Sequence, residues 1–467
     1  MGTSPRFLLG LAAAKASIAA LRVTRHSGGQ VPGVVAEAID RTFLADMPKP
    51  ARIAFVSGTN GKTTTCNLLA DLLLDNGVDL VTNRAGGNIV TGIESTLIKN
   101  ATITGKPRVD CAVMELDEIS FRTVMPHVDP ELLLVTNLYG DTFTRSADPA
   151  YVFDVMSAHI PARTRLVLNA DDLISCRLAP HNTNKVFFSI GRMPFDTAEP
   201  EGIVCDLTAC PDCGGRLEYD YCHLRHLGRA HCAVCGLESP APDYEVVEID
   251  RQARTFTVKE HLHPGTPQFT YPLSVHSVAN IYNVLAAVVT AREMGLTGEQ
   301  IVASLAGGVS VTAARFQARE AGGKRILTIA SKGENATAAS VAFNTIRKEP
   351  GTKAVAVIIS DSHMAEVPED VEYTGWYYQA DFEYLNDPQI KQVIVYGATS
   401  DDIMLRLATA GVDPAITKVA RSEAEIADLF DLDAVDGAYI AHCVTNVGIS
   451  HRVADKLVDR ARRTAHV

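Results

Sequence analysis

The chain has 467 residues, long enough for two or three domains with buried cores. Its 43 Lys and Arg against 55 Asp and Glu leave a net charge of −12, which speaks against a general nucleic-acid binder, so no nucleic acid is expected among its partners. Its 10 cysteines, read in a cytosolic chain, suggest thiols or metal in place of disulfides.

The first apolar run, Phe7-Leu8-Leu9-Gly10-Leu11-Ala12-Ala13-Ala14, is interrupted by Lys15 and is too short to span a bilayer, so the protein is not expected to be transmembrane. It reads as an amphipathic helix packed on its own domain, with shallow contact at a membrane surface as the second reading. Residues 1–45 make up this N-terminal helical segment.

Next comes Ile53-Ala54-Phe55-Val56, then Gly58-Thr59-Asn60-Gly61-Lys62-Thr63-Thr64-Thr65, then a helical stretch from Cys66 to Leu74. A strand, a glycine-rich turn ending in Gly-Lys-Thr and a helix together form a phosphate-binding loop, so ATP is expected. Gly58 and Gly61 allow the tight turn that aims backbone N–H groups at phosphate oxygens. Lys62 would reach the β- and γ-phosphates and the Thr63 hydroxyl would hold Mg²⁺, while the helix start adds its positive dipole end.

Short apolar runs continue at Val109–Glu115, Leu132–Asn137 and Arg165–Asn169, alternating with helical patterns; this predicts an α/β fold with a mostly parallel sheet covered on both faces. Cys210-Pro-Asp-Cys213 and Cys232-Ala-Val-Cys235 then make two C-x-x-C knuckles, each followed by glycine, between proline-bearing stretches at Pro194–Pro200 and Pro240–Pro242. The spacing is that of a zinc ribbon with four thiolates, inserted at about residues 205–240. Four sulfur ligands leave no open position, so the expected zinc is structural. Cys205, Cys222, His223, His226 and His231 lie nearby as competing ligands without knuckle geometry.

Beyond the ribbon, Tyr244–Ile249 and Thr255–Val258 read as paired strands and Asn280–Met294 as a helix. A boundary is expected near Gly307–Thr312, followed by a second α/β series with strands at Ala354–Ser360, Gln392–Tyr396 and Ala438–Cys443. The predicted domains are thus residues 46–310, which bind ATP and carry the ribbon, and a C-terminal α/β domain over 311–467. His442 and Cys443 are adjacent in sequence, whereas a nucleophile and its base usually converge from separate loops, so both read as interior or interface residues.

The phosphate loop, Glu115 in Met114-Glu-Leu-Asp-Glu118, Thr136-Asn137 and Asn280-Ile-Tyr-Asn283 occur in the order found in the Mur ligases, which the chain resembles over most of its length. Within that superfamily it is similar to the MurT family. The resemblance there rests on Ser27-Gly-Gly-Gln-Val-Pro-Gly33, the four-cysteine ribbon, Asn83-Arg84-Ala85-Gly86-Gly87-Asn88, and Val393-Ile-Val-Tyr-Gly397 with Asp402, Arg406-Leu407 and Ala410-Gly411-Val412. It implies a Mur-ligase-like central P-loop domain followed by a smaller, Rossmann-like C-terminal domain of MurT type.

The resemblance also implies an ATP-dependent ligase of peptidoglycan biosynthesis, using Mg²⁺ and a structural Zn²⁺. The α-carboxylate of D-isoglutamate in the lipid II stem peptide would be activated as an acyl phosphate and amidated to D-isoglutamine. A GatD-like glutamine amidotransferase subunit would supply the ammonia, and the chain would work in the cytoplasm, meeting lipid II at the inner membrane face. Glu115 would serve Mg²⁺ directly or through water, and Asn137, Asn280, Asn283 and Arg315 would contact the nucleotide. Asp381 would be lent to the partner's Cys-His glutaminase pair, with Asp361 as the fallback.

Three stretches depart from the family pattern. Gly140-Asp141-Thr142-Phe143-Thr144-Arg145 stands where Arg-Asp-Gln-x-Asp-Arg is usual, Ala314-Arg315-Phe316-Gln317 where Gly-Arg-x-Glu is usual, and Gln379 where a first aspartate precedes Asp381. They keep two further readings open: a ligase for another carboxylate, and a non-catalytic scaffold that binds nucleotide or zinc.

Overall fold

In the computed structural model the described residues are 4–24, 29–84, 87–140, 148–274, 277–309, 316–360 and 372–464. They group into two compact units, one from the described residues up to 309 and one from Phe316 onward; Gly140 and Gly202–Val204 group with the second.

The strands of the first unit are β1 (Arg52–Ser57), β2 (Leu80–Val81), β3 (Cys111–Glu115), β4 (Leu132–Val135), β5 (Arg165–Asn169), β6 (Lys185–Ile190), β7 (Leu217–Leu224), β8 (Leu227–Cys232), β9 (Tyr244–Asp250), β10 (Thr255–Glu260) and β11 (Gln268–Pro272). β7 and β8 form their own antiparallel ribbon; the others make a nine-stranded sheet in the order β11-β10-β9-β6-β5-β4-β1-β3-β2. From β2 to β9 neighbours run parallel, and β10 and β11 extend the sheet antiparallel.

Helices cover both faces of the parallel part, which is why its strands are almost continuously apolar. Their side chains alternate between two cores. Ile53, Phe55, Met114 and Leu133 join one with Phe7, Phe43 and Ile93, while Ala54, Val56, Val113 and Leu134 join the other with Leu69, Leu73, Leu285 and Val289. β1 lies between β3 and β4, so the chain leaves it toward one side and later crosses to the other. The carboxyl end of β1 is therefore a topological switch point, where parallel α/β sheets open a ligand crevice.

Helix Pro5–Thr24 buries Phe7, Leu11 and Ala14, stacks Phe7 on Phe43 at 5.0 Å, and sends Lys15 Nζ to the carbonyls of Ile98 and Ala101 at 3.1 and 2.7 Å. One expectation is corrected here: the outward side of the helix is not a polar face, because apolar side chains share it with Arg6 and Arg22. Leu9 (61 % exposed), Leu8 and Val23 point outward. Among the described residues no helix is long and apolar enough to cross a membrane.

The second unit holds β12 (Phe316–Ala321), β13 (Lys324–Ser331), β14 (Lys353–Ile358), β15 (Ile390–Val395), β16 (Thr417–Val419) and β17 (Gly437–Cys443), in the order β12-β13-β17-β14-β15-β16. All neighbours are parallel except the edge pair β12 and β13. The helices include Ala336–Lys348, Ser400–Thr409 and Val447–Thr464.

Candidate active site

β1 ends at Ser57, and the chain turns through Gly58 (φ +118°) and Gly61 (φ +87°), both in the left-handed region that favours glycine. Space requires glycine as well: a Cβ on Gly58 would lie 2.3 Å from Thr136 Oγ1, and one on Gly61 would lie 2.0 Å from Asn283 Oδ1. Gly61 is the N-cap of helix Lys62–Asp75 and brings no side-chain oxygen to it. The first N–H groups of that helix are thus left for an anion.

The segment after β4 is the template on which the loop is moulded. Thr59 N–H donates to the Asn137 carbonyl at 2.9 Å, and the Thr59 hydroxyl accepts the Tyr139 N–H at 3.0 Å. Thr136 Oγ1 donates to the Asn60 carbonyl at 2.8 Å. Asn137, expected at the nucleotide, accepts the Asn60 N–H and donates to the Asn60 carbonyl, both at 3.0 Å, which makes it a support of the loop. Asn60 Nδ2 is buried without a hydrogen-bond partner among the described residues, a donor suited to a phosphate oxygen. Cradle, helix start and orphaned donor together fit a nucleoside triphosphate.

Lys62 Nζ lies 2.8 Å from Glu118 Oε1, and the two residues are 8 % and 4 % exposed. Burial pushes the Glu118 carboxyl above the ordinary carboxylate range, opposed by the Lys62 charge. Sequence reasoning missed Glu118, although the signal was present as the second glutamate of Met114-Glu-Leu-Asp-Glu118. Asp117 caps the turn that carries it by accepting the Ile119 N–H at 3.2 Å.

At the end of β3, Glu115 Oε2 accepts the Thr63 hydroxyl at 2.7 Å and Glu115 Oε1 accepts Asn88 Nδ2 at 2.8 Å. Asn83 pairs with the Glu115 backbone through two bonds of 2.8 Å. Thr63 and Glu115 thus present adjacent hard oxygen donors, the chemistry that Mg²⁺ takes. They line a cavity of about 230 Å³ together with Cys66, Asn67, Asn83, Arg84, Gly87 and Asn88.

Helix Val278–Glu293 brings Asn283 against Gly61, and Asn283 Nδ2 donates to Asn280 Oδ1 at 3.3 Å. Both predicted asparagines therefore belong to the loop's surroundings, and Thr64 lies in the first turn of its helix. Arg315, Asp141, Arg145 and Asp361 lie outside the described residues.

The four knuckle sulfurs all lie within 4.8 Å of one another, with Cys210–Cys235 and Cys213–Cys232 each at 3.5 Å. A tetrahedron of about 2.3 Å Zn–S bonds has edges near 3.8 Å, so the set fits Zn²⁺. The competing residues are otherwise engaged. His223 sits between Asp196 (2.6 Å) and the Ile190 carbonyl (2.8 Å), His226 meets Asp172 at 3.2 Å, His231 meets Asp220 at 3.3 Å, and the Cys222 thiol donates to the Arg225 carbonyl at 2.6 Å.

In the second unit Asp381 is buried, and its carboxylate accepts the Ile203 N–H at 2.6 Å. It stands in a knot of short turns closed by Trp376, Tyr377 and Phe382, beside Arg406, which pairs with Glu383 at 2.7 Å. His442 and Cys443 are buried, and burial lowers the imidazole below its usual range.

Residues 56–198 match the Mur ligase middle domain family and residues 333–446 the MurT ligase C-terminal family. The MurT subunit of lipid II isoglutaminyl synthase (glutamine-hydrolyzing) from Staphylococcus aureus strain COL is 29% identical over 402 residues, covering 86% of this chain and 87% of that protein. The Streptococcus pneumoniae R6 subunit of the same name is 29% identical over 397 residues, covering 82% and 83%. Among solved structures, a pseudomurein peptide ligase type C from Methanothermus fervidus superposes with a TM-score of 0.63 at 18% identity, over 88% of this chain and 79% of that one. MurF ligase from Thermotoga maritima in complex with ADP gives 0.58 at 15% identity, over 93% and 85%. At these identities the structural matches establish the fold alone.

Proposed function

Because the chain belongs to the MurT family of Mur-ligase-like proteins, we propose that it is the ATP-dependent, carboxylate-activating subunit of a lipid II isoglutaminyl synthase. The observation that carries this reading is the arrangement at the end of β1: the glycine cradle, Lys62 at the helix start, and Glu115 beside Thr63.

In this mechanism the β- and γ-phosphates of ATP lie on the N–H groups of the Gly58–Thr63 turn, with Lys62 and Asn60 Nδ2 adding donors. Thr63 and Glu115 would hold Mg²⁺, which neutralises charge on the transferring phosphoryl group. An oxygen of the D-isoglutamate α-carboxylate attacks the γ-phosphorus and ADP leaves, giving an acyl phosphate. Ammonia then attacks the acyl carbon, inorganic phosphate leaves, and loss of a proton from nitrogen gives the amide. Asn83 and Asn88 keep Glu115 oriented throughout. The ammonia is assigned to a GatD-like glutamine amidotransferase subunit, and the site of action to the inner membrane face, where a lipid-linked acceptor would be met. Asp381 is assigned to the partner's Cys-His pair; lending its carboxylate would exchange the Ile203 hydrogen bond for one to the partner's histidine.

The test combines purified chain, partner subunit, glutamine, ATP, Mg²⁺ and lipid II, with the product read by mass spectrometry. Conversion of the α-carboxylate to the amide is expected, together with its abolition by Lys62→Ala. Absence of ATP-dependent amidation with every muropeptide lipid tried would overturn the reading.

A further inference from the structure

Hairpin tips usually face solvent. The tip between β7 and β8 does not: Arg225, His226 and Leu227 are 4 %, 1 % and 2 % exposed, and Arg225 adopts φ +49° to make the turn. One end of this hairpin, where Leu217 pairs with Cys232, is held by the four-cysteine site. The other end is wedged into the first unit behind the phosphate loop. We propose that the zinc ribbon acts as a positioning element for the nucleotide site, with His226 as the residue through which it sets the loop.

The connections are short and continuous. His226 Nε2 lies 3.2 Å from Asp172 Oδ1, and Asp172 Oδ2 accepts the N–H of Leu138 at 2.7 Å. The His226 ring packs on the ring of Tyr139 with centroids 4.8 Å apart. Leu138 and Tyr139 belong to the template described above, and the Tyr139 N–H and carbonyl both bond the Thr59 hydroxyl, at 3.0 and 3.2 Å. Only Asp172 and Tyr139 therefore separate the hairpin tip from a residue of the phosphate loop.

A second set of bonds holds the same hairpin to the helix that carries Asn283. The Gly228 N–H donates to the Asp171 carbonyl at 2.8 Å, and the Asp171 carboxylate accepts Tyr282 Oη at 2.7 Å and the Ile190 N–H at 2.8 Å. The loop is thus flanked by two segments, Leu138–Tyr139 and Tyr282–Asn283, each fixed by neighbours of one hairpin. A ribbon that only braced the surface would need neither contact.

Coupling carried by such a network is reciprocal: if zinc favours the nucleotide-competent loop, bound nucleotide must favour retention of zinc. The inference rests on the nucleotide-binding part of the proposed function and not on the identity of the acceptor. Its readouts are therefore binding readouts, which survive if the lipid II assignment fails.

The test measures the zinc affinity of the full chain by equilibrium competition with a chromophoric chelator, with and without a non-hydrolysable ATP analogue and Mg²⁺. Nucleotide is expected to tighten zinc affinity about ten-fold in the unaltered chain and to leave it unchanged in His226→Ala, which also controls for the weak affinity of nucleotide for free zinc. His226→Ala is further expected to weaken analogue binding about ten-fold, and to raise KM for ATP with kcat roughly unchanged in whatever turnover assay the chain supports. His226→Gln, which keeps a donor toward Asp172, should recover part of the loss, and Glu218→Ala on the exposed edge of the ribbon should change neither quantity. The proposal falls if nucleotide has no effect on zinc affinity in the unaltered chain. It also falls if His226→Ala lowers the melting temperature while leaving analogue affinity intact.

Discussion

Both units contain a strand that leads through a short turn into a helix, and they use it in opposite ways. In the first, β1 passes through Gly58 and Gly61 into helix Lys62–Asp75, and the N-cap brings no side-chain oxygen. In the second, β13 leads to helix Ala336–Lys348, where Asn335 Oδ1 accepts the Ala338 N–H at 2.7 Å. Every α-helix begins with unpaired donors. A side-chain cap fills one of them and makes that helix start a structural joint, whereas a glycine cap leaves them for an anionic ligand.

The contrast can be broken most severely at Gly61. Gly61→Ala meets both the left-handed backbone and the Asn283 side chain, and it is expected to cost about a hundredfold or more in kcat/KM for ATP; unaltered ATP kinetics would show that the cradle is not where phosphate sits. In the second unit the largest expected effect is at Asp381. Asp381→Asn should reduce glutamine-dependent amidation roughly a hundredfold and leave amidation supported by ammonium unchanged. Equal loss on both nitrogen sources would mean that Asp381 serves its own fold and not the partner.

A smaller effect is expected at the capped helix. Asn335→Ala should lower stability by about 1 kcal/mol in urea unfolding while ATP turnover persists, since the Asn335 side chain already fills a donor at that helix start. Loss of turnover without loss of stability would blur the distinction between the two helix starts.

The mildest test concerns Glu94, a buried acid with Oε2 unpartnered among the described residues, in contrast to Glu118 on Lys62. Burial pushes its carboxyl from an ordinary 4.5 up to about 8, with Glu37 raising it further and Lys49 opposing. Between those values the folded chain retains a proton that the unfolded chain has released. This contribution to stability is whole below the lower value and disappears as pH rises through the upper one. The melting temperature should therefore fall across that window, and less so in Glu94→Gln; identical profiles for the two chains would refute the assignment.

What could be read in the sequence was local. The phosphate loop is eight contiguous residues whose types are dictated by one ligand, and the knuckles are two tetrapeptides whose spacing is dictated by one metal. Short, nearly continuous apolar runs placed the central strands, because burial on both faces leaves little else that fits them. The rest depends on residues far apart. Glu118 becomes a partner of Lys62 only once β1 and β3 lie side by side, and Asn137 becomes a support of the loop only because β4 lies on the other side of β1. The hairpin tip carries charged and polar residues, Arg225 and His226, that look like surface in the sequence and are buried because Asp172 and Tyr139 receive His226 while Asp206 lies 3.8 Å from Arg225. Helix Pro5–Thr24 was misread for the opposite reason, since its alanines satisfy an inward and an outward face equally well.

The approach of Asn283 to Gly61 has a consequence for how this sequence can change over time. A side chain at position 61 would occupy the volume that Asn283 already fills. Even asparagine, which tolerates a left-handed backbone better than most residues, has no room there. Shortening residue 283 alone would open a void beside the loop and leave position 61 under the same backbone constraint. Positions far apart along the chain are therefore inherited as a single choice. Among relatives that keep the glycine cradle, variation at 283 should be confined to side chains that can lie flat against a bare α-carbon.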